Sequence, residues 1–219
     1  MVGRLSEIAS FSLVAFTGIF AVMDPLTAVP IFVAMTGDLD VAARRRIAFR
    51  ASFAAALILT AFALAGALLF KLFGITLPAF KIAGGLLLLL MAIDMLRAQP
   101  SRVRSSPEEM APGPSREDIA IFPLATPLLA GPGSIATTMV FMGRSTAWWQ
   151  AIPVVGAVLL TCFLSYWLLR GATFIERLLG KTGMNVLNRV MGLILAAIAV
   201  QFILDGIAGA FPGLPGPHA

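Results

Sequence analysis

The chain has 219 residues, 59% hydrophobic and 12% charged, with a formal net charge of +5 and a mean hydropathy of +0.94. Soluble domains run at roughly 45–50% apolar and about 25% charged, so the composition excludes a soluble fold and implies an integral membrane protein. The basic residues sit between apolar runs, where they orient spans rather than bind nucleic acid. With one His (His218) and one Cys (Cys162), neither a histidine-ligated metal site nor an internal disulfide is expected.

About 20 apolar residues cross a bilayer as a helix. On that measure six crossings are predicted, over Ile8–Thr36, Ile47–Phe70, Leu77–Leu96, Ile119–Met142, Ala151–Leu169 and Met184–Leu204. The first lacks a small-x-small cleavage site before Asp24-Pro25, so it reads as a span rather than a signal peptide. It is interrupted at Asp24-Pro25, and the fourth at Gly131-Pro132-Gly133. The stretch 98–117 mixes Pro, Ser, Gly and charge and reads as a flexible cytoplasmic linker. It separates a first three-helix unit (1–97) from a second (118–206), and 207–219 forms a Pro/Gly-rich tail. Phe174–Leu179 has a weak signal for lying along the membrane interface.

Lys and Arg are unevenly shared between the two sides. One side carries four (Arg4, Lys71, Lys81, Arg144) and the other twelve, led by Arg44, Arg45, Arg46 and Arg50. The richer side should be cytoplasmic, which puts both termini outside. The Arg44–Arg46 run reads as an orientation and lipid-headgroup signal. Trp148, Trp149, Tyr166 and Trp167 read as interfacial anchors or packing residues.

A shift of 107 positions takes Pro25 to Pro132, Gly85 to Gly192 and Asp94 to Gln201. Units of three spans each must enter the membrane in opposite senses, so the predicted fold is all-α, six transmembrane helices in two inverted repeats with helices 1 and 4 broken. Gly84, Gly85 and Gly192 are expected to allow close helix packing, and Gln201 to bond a neighbouring helix. Pro30, Pro123 and Pro127 are expected as kinks.

A membrane helix breaks only where its freed backbone meets protein or a water-filled cavity. Asp is a favoured N-cap and Pro suits the first helical position, so half-helices are expected to start at mid-membrane over Pro25–Thr36 and Gly133–Met142. Their N-terminal amides would form an anion site. The Gly131–Ser134 amides could then hold a carboxylate and Asp24 an ammonium or a coupling proton. A zwitterion such as a small neutral amino acid fits both poles, with hydroxyls from Thr27, Thr126, Ser134, Thr137 and Thr138. An acid at that depth costs at least about 2.5–3.5 kcal/mol on insertion scales, which favours a working role over a bare cap. The candidate substrate-binding set is Asp24, Pro25, Thr27, Thr126, Gly131, Gly133, Ser134, Thr137 and Thr138, with Asp24 also the ion-coupling group.

The segments MDPLTAVPIF and FPLATPLLAGPGSIATT resemble the two signature segments of the MarC family of six-span bacterial and archaeal membrane proteins. The likeness extends over nearly the whole chain in length, span count and motif placement. It implies an inner-membrane location, kinship with the LysE-type exporters and ion-driven transport of a small neutral amino acid such as glycine or alanine. Thr27-Ala28 stands where the family commonly has Gly-Asn, so an amide side chain is missing beside the proposed site.

The expectation is therefore a secondary transporter working by alternating access, with a small-molecule substrate, membrane lipids around it and no cofactor. Exposed small-residue faces would allow a homodimer. A channel or a non-transporting scaffold or regulator is the alternative. An intramembrane hydrolase is disfavoured because no intramembrane His is available to activate Ser134, and no HExxH or Gly-x-Ser-x-Gly motif occurs.

Overall fold

The structure is a computed structural model that describes residues 2–97, 120–143 and 148–211. The expected linker 98–117 and the tail from 212 onward lie outside the described residues. Every described element is helical: α1 (Val2–Met23), α2 (Pro25–Thr36), α3 (Val41–Phe73), α4 (Leu77–Leu96), a π-helix (Ala120–Leu129), α5 (Pro132–Gly143), α6 (Trp148–Arg170) and α7 (Ala172–Ala210). Five stretches are long and apolar enough to cross a membrane: Glu7–Thr36, Val41–Phe73, Leu77–Leu96, Ala151–Arg170 and Thr182–Ala210. The protein is thus an all-α polytopic membrane protein. The fourth expected crossing falls on two short pieces, the 10-residue π-helix and the 12-residue α5.

Local chemistry sets the element ends. Asp40 caps α3 by accepting from the Ala43 N–H at 3.3 Å, and Thr76 caps α4 by accepting from Ala79 N–H at the same distance. Gly74 closes α3 in the left-handed region (φ 63°), where a side chain would be strained. Within α7, Gly180 (φ 60°, ψ −178°) interrupts the helix. Ala172–Leu179, which contains the expected interfacial segment, is therefore a separate turn of helix before the long apolar stretch.

α3 buries mostly small residues and turns most of its large ones outward, Ile47 and Leu59 being buried exceptions. On α3, Ala48, Ala51, Ala55, Ala63 and Gly66 are buried, while Phe53, Leu57, Leu64 and Leu68 are exposed. Small residues let backbones approach, and large apolar ones suit lipid. The closest approach joins α4 and α7. A Cβ added at Gly85 would stand 2.8 Å from the Ala199 carbonyl and 3.2 Å from the Ile203 nitrogen; one added at Gly192 would stand 3.2 Å from both the Ala92 carbonyl and the Leu96 nitrogen. A shift of 107 turns the first set of residues, 85, 92 and 96, into 192, 199 and 203, so the two contacts are one contact seen twice. The helix pairs behave alike. The α1–α6 contact matches π-helix–α3, α2–α7 matches α5–α4, and α3–α5 matches α6–α2.

One expectation is corrected, and one residue gains a role. Gln201 donates from Nε2 to Asp205 at 2.7 Å, one turn along its own helix, and not to a neighbour. Arg44, expected within an orientation and headgroup signal, also acts as a structural tether. Its guanidinium donates to the Leu39 carbonyl (3.1 Å), the Gly37 carbonyl (2.5 Å) and the Thr173 hydroxyl (3.1 Å), tying the α2–α3 turn to α7.

Candidate functional site

At the first break one residue both ends a helix and starts the next. The Asp24 N–H donates to the Phe20 carbonyl at 2.9 Å, closing α1. Its backbone then turns left-handed (φ 45°, ψ 64°), the one such non-glycine residue among those described. Asp and Asn tolerate this region better than other side chains because they bond locally. Its carboxylate then accepts from the Thr27 N–H at 3.4 Å and from the Thr27 hydroxyl, capping α2 with Pro25 at the first helical position. Asp24 is 1% exposed, so this acid is enclosed by protein.

The second break has different chemistry. The sequence here holds Pro123 and Pro127, and proline has no N–H to give an α-helical ladder. The segment answers by widening to a π-helix, which closes with Ala130 N–H donating to the Ala125 carbonyl at 2.8 Å, five residues back. The expected kinks at these prolines are thus a widened ladder. At Gly131 the direction changes: its carbonyl accepts from Ile135 N–H at 3.0 Å and α5 begins at Pro132.

The two breaks lie against one another. A Cβ added at Gly133 would stand 3.4 Å from Val22 Cγ1, two residues before Asp24, and 2.7 Å and 3.2 Å from Leu88 and Met91 of α4. Met23 in turn lies 4.0 Å from the Ser165 hydroxyl of α6. Each half-helix packs on the segment that precedes the other: α5 on α1, and α2 on the π-helix. Pro25, Gly131, Gly133 and Ser134 are buried, while Pro132 between them is exposed and borders an apolar pocket of about 420 Å³ also lined by Gly84, Ala136 and Met139.

The expected hydroxyls divide by partner. Thr27 is bonded to Asp24, and the Thr138 hydroxyl donates to the Ser134 carbonyl at 2.8 Å. Thr126 is half-buried in the π-helix. The Thr137 hydroxyl, fully buried, has no partner among the described residues. It borders a cavity of about 460 Å³ between α1, α5 and α7, also lined by Thr17, Gly18, Phe141, Gln201 and Asp205. Sequence reasoning missed Thr17 and Asp205 as lining residues. The four-residue spacing of Gln201 and Asp205 on an apolar helix was the available signal. No group of three or more potential metal ligands occurs among the described residues.

The comparisons with known proteins fit this architecture. Residues 9–211 match the model of the MarC family integral membrane protein. A UPF0056 membrane protein of Methanocaldococcus jannaschii is 42% identical over 200 residues, covering 91% of this chain and 97% of the relative. One from Aquifex aeolicus is 37% identical (88% and 90% covered), and YhcE of Escherichia coli, also described as a UPF0056 membrane protein, is 36% identical (91% and 93%). No solved structure matches. The chain belongs to the MarC family of integral membrane proteins.

Proposed function

We propose that the chain is a secondary transporter of a small neutral amino acid of the glycine, alanine or serine kind, coupled to protons or sodium. It is a carrier and not an enzyme. It sits in the inner membrane with both termini extracytoplasmic. One observation carries this reading: two helix breaks within apolar segments touch, one bearing an enclosed acid and the other the amide-rich start of α5.

The roles follow from the chemistry. The Gly133 and Ser134 amides, at the positive end of α5, receive the substrate carboxylate. Asp24 receives the ammonium or the coupling proton, and Thr137 offers a hydroxyl that needs a partner. The junction as it stands is one state of the cycle. For substrate to enter, Val22, Leu88 and Met91 must draw back from Gly133. The matching contacts under the 107-residue shift support two inverted units, α1–α4 and π-helix–α7, that rock about this junction.

The tight packing at Gly133 and the local bonding of Asp24 would equally suit a non-transporting membrane scaffold. Proteoliposomes separate the readings. Saturable, gradient-driven uptake of labelled glycine, alanine or serine, abolished in Asp24→Asn, is the expected result. Non-saturating flux without counterflow means a channel. No flux and no ligand-dependent thermal shift means a scaffold.

A further inference from the structure

A second groove runs between α3 and α6. It encloses about 370 Å³ and is lined by Arg45, Phe49, Ser52, Phe53, Ala56, Leu159, Cys162, Phe163 and Tyr166. We propose that this groove is a binding site for one anionic glycerophospholipid, with the phosphate held at Arg45 and Tyr166 and an acyl chain lying along Phe53 and Ala56. The proposal stands apart from the transport reading.

Four features point to that occupant. First, the rim gathers cations. Arg45 Nε donates to the Tyr166 hydroxyl at 3.2 Å, and Arg170 sits 4.8 Å from the centre of the adjacent Trp167 ring. Two guanidinium groups along one rim repel each other, and an anion bound there relieves that repulsion. Tyr166 accepts from Arg45, which leaves its own proton to donate to a phosphate oxygen.

Second, polarity falls along the groove. Below the rim come the stacked Phe49 and Phe53 rings (6.0 Å apart), then Leu159 and Ala56. Third, the length fits. Arg45 to Ala56 spans about 16 Å of helix at ~1.5 Å per residue, close to the ~15 Å depth of one leaflet of a ~30 Å hydrocarbon core.

Fourth, Ser52 is 4% exposed and its hydroxyl has no partner among the described residues, yet it lines the groove. It lies about 10 Å below Arg45 along α3, where a glycerol ester carbonyl could accept its proton. A hydroxyl without a partner is costly in apolar surroundings. A soluble anion would satisfy the arginines but neither Ser52 nor the apolar floor.

The test uses the purified full chain in detergent, with lipid binding followed by native mass spectrometry and thermal unfolding. Phosphatidylglycerol, phosphatidylcholine with the same acyl chains, and inorganic phosphate are compared. Phosphatidylglycerol should bind more tightly than phosphatidylcholine, and the preference should fall about fivefold for each of Arg45→Gln and Arg170→Gln. Ser52→Ala should weaken binding of both lipids. Arg46→Gln, on the same helix but outside the groove, should change nothing. Equal affinity for the two lipids, an unchanged preference in the double arginine variant, or equal stabilisation by inorganic phosphate alone would overturn the proposal. So would disulfide trapping of two copies through Phe53→Cys, which would make the groove a dimer face.

Discussion

Replacing Gly133 by Ala tests whether the two breaks meet. The added methyl would stand 2.7 Å from Leu88 Cδ2, 3.2 Å from Met91 Sδ and 3.4 Å from Val22 Cγ1. Carbon atoms settle at about 3.5–4.0 Å, so Leu88 must move by roughly 0.8 Å or more. Leu88 and Met91 are fully enclosed and have little room to yield. Overpacking of this kind costs about 1–3 kcal/mol. Removing a helical glycine returns up to about 1 kcal/mol, less near a helix start. The net expectation is a loss of about 0.5–2 kcal/mol, read by unfolding in mixed micelles. Gly156 of α6 is the control, since a Cβ there meets nothing within 4 Å. Its alanine variant should gain about 0.5–1 kcal/mol. In the transport reading, Gly133→Ala also lowers uptake while Gly156→Ala does not. A Gly133→Ala protein as stable and as active as the Gly156→Ala one would show that the second break does not press on α1 and α4.

Three further outcomes are expected. Asp24→Asn keeps an N-cap and a residue that accepts the left-handed region, so its stability should stay within about 0.5 kcal/mol of the parent while uptake is lost. Asp24→Ala should lose about 2 kcal/mol by unfolding, since cap and backbone tolerance go together. Thr137→Val removes a buried hydroxyl without a partner, so thermal unfolding should show equal or slightly higher stability, while the apparent KM for uptake rises several-fold. Arg44→Gln should cost about 1.5–3 kcal/mol and speed hydrogen exchange over residues 37–40, whereas Arg46→Gln should do neither.

Much of the architecture could be read from the residues because a membrane limits the choices. Apolar length defined the long helices, and Asp-Pro and Gly-Pro-Gly marked both interruptions within a residue or two. What stayed hidden depends on geometry that composition does not carry. Asp24 was legible as a cap, but its left-handed backbone, which lets one residue finish α1 and open α2, was not. Pro123 and Pro127 announced irregularity; that the segment would take the wider π-helical ladder was not legible in composition. Arg44 looked like its neighbours Arg45 and Arg46. Only the folded α2–α3 turn, which aims the Gly37 and Leu39 carbonyls at one guanidinium, sets it apart.

The 107-residue shift has a consequence for how such a chain could move. Under that shift the contacts of α4 with α7 and of α3 with α6 map onto themselves, as contacts on the axis of the proposed inverted repeat would. The α4–α7 contact is glycine against backbone at both of its ends, which suits a rigid seam or a low-friction sliding surface. Contacts that come in exchanged pairs, such as α2–α7 with α5–α4, are where the two units can differ between states. In the transport reading, a swing that opens one member of a pair while closing its counterpart exposes the junction to one side at a time. The break chemistry is not symmetric, since position 24 is Asp and position 131 is Gly. The two end states therefore differ in how the acid is surrounded, and a proton or an ammonium group can bias the swing only through that difference.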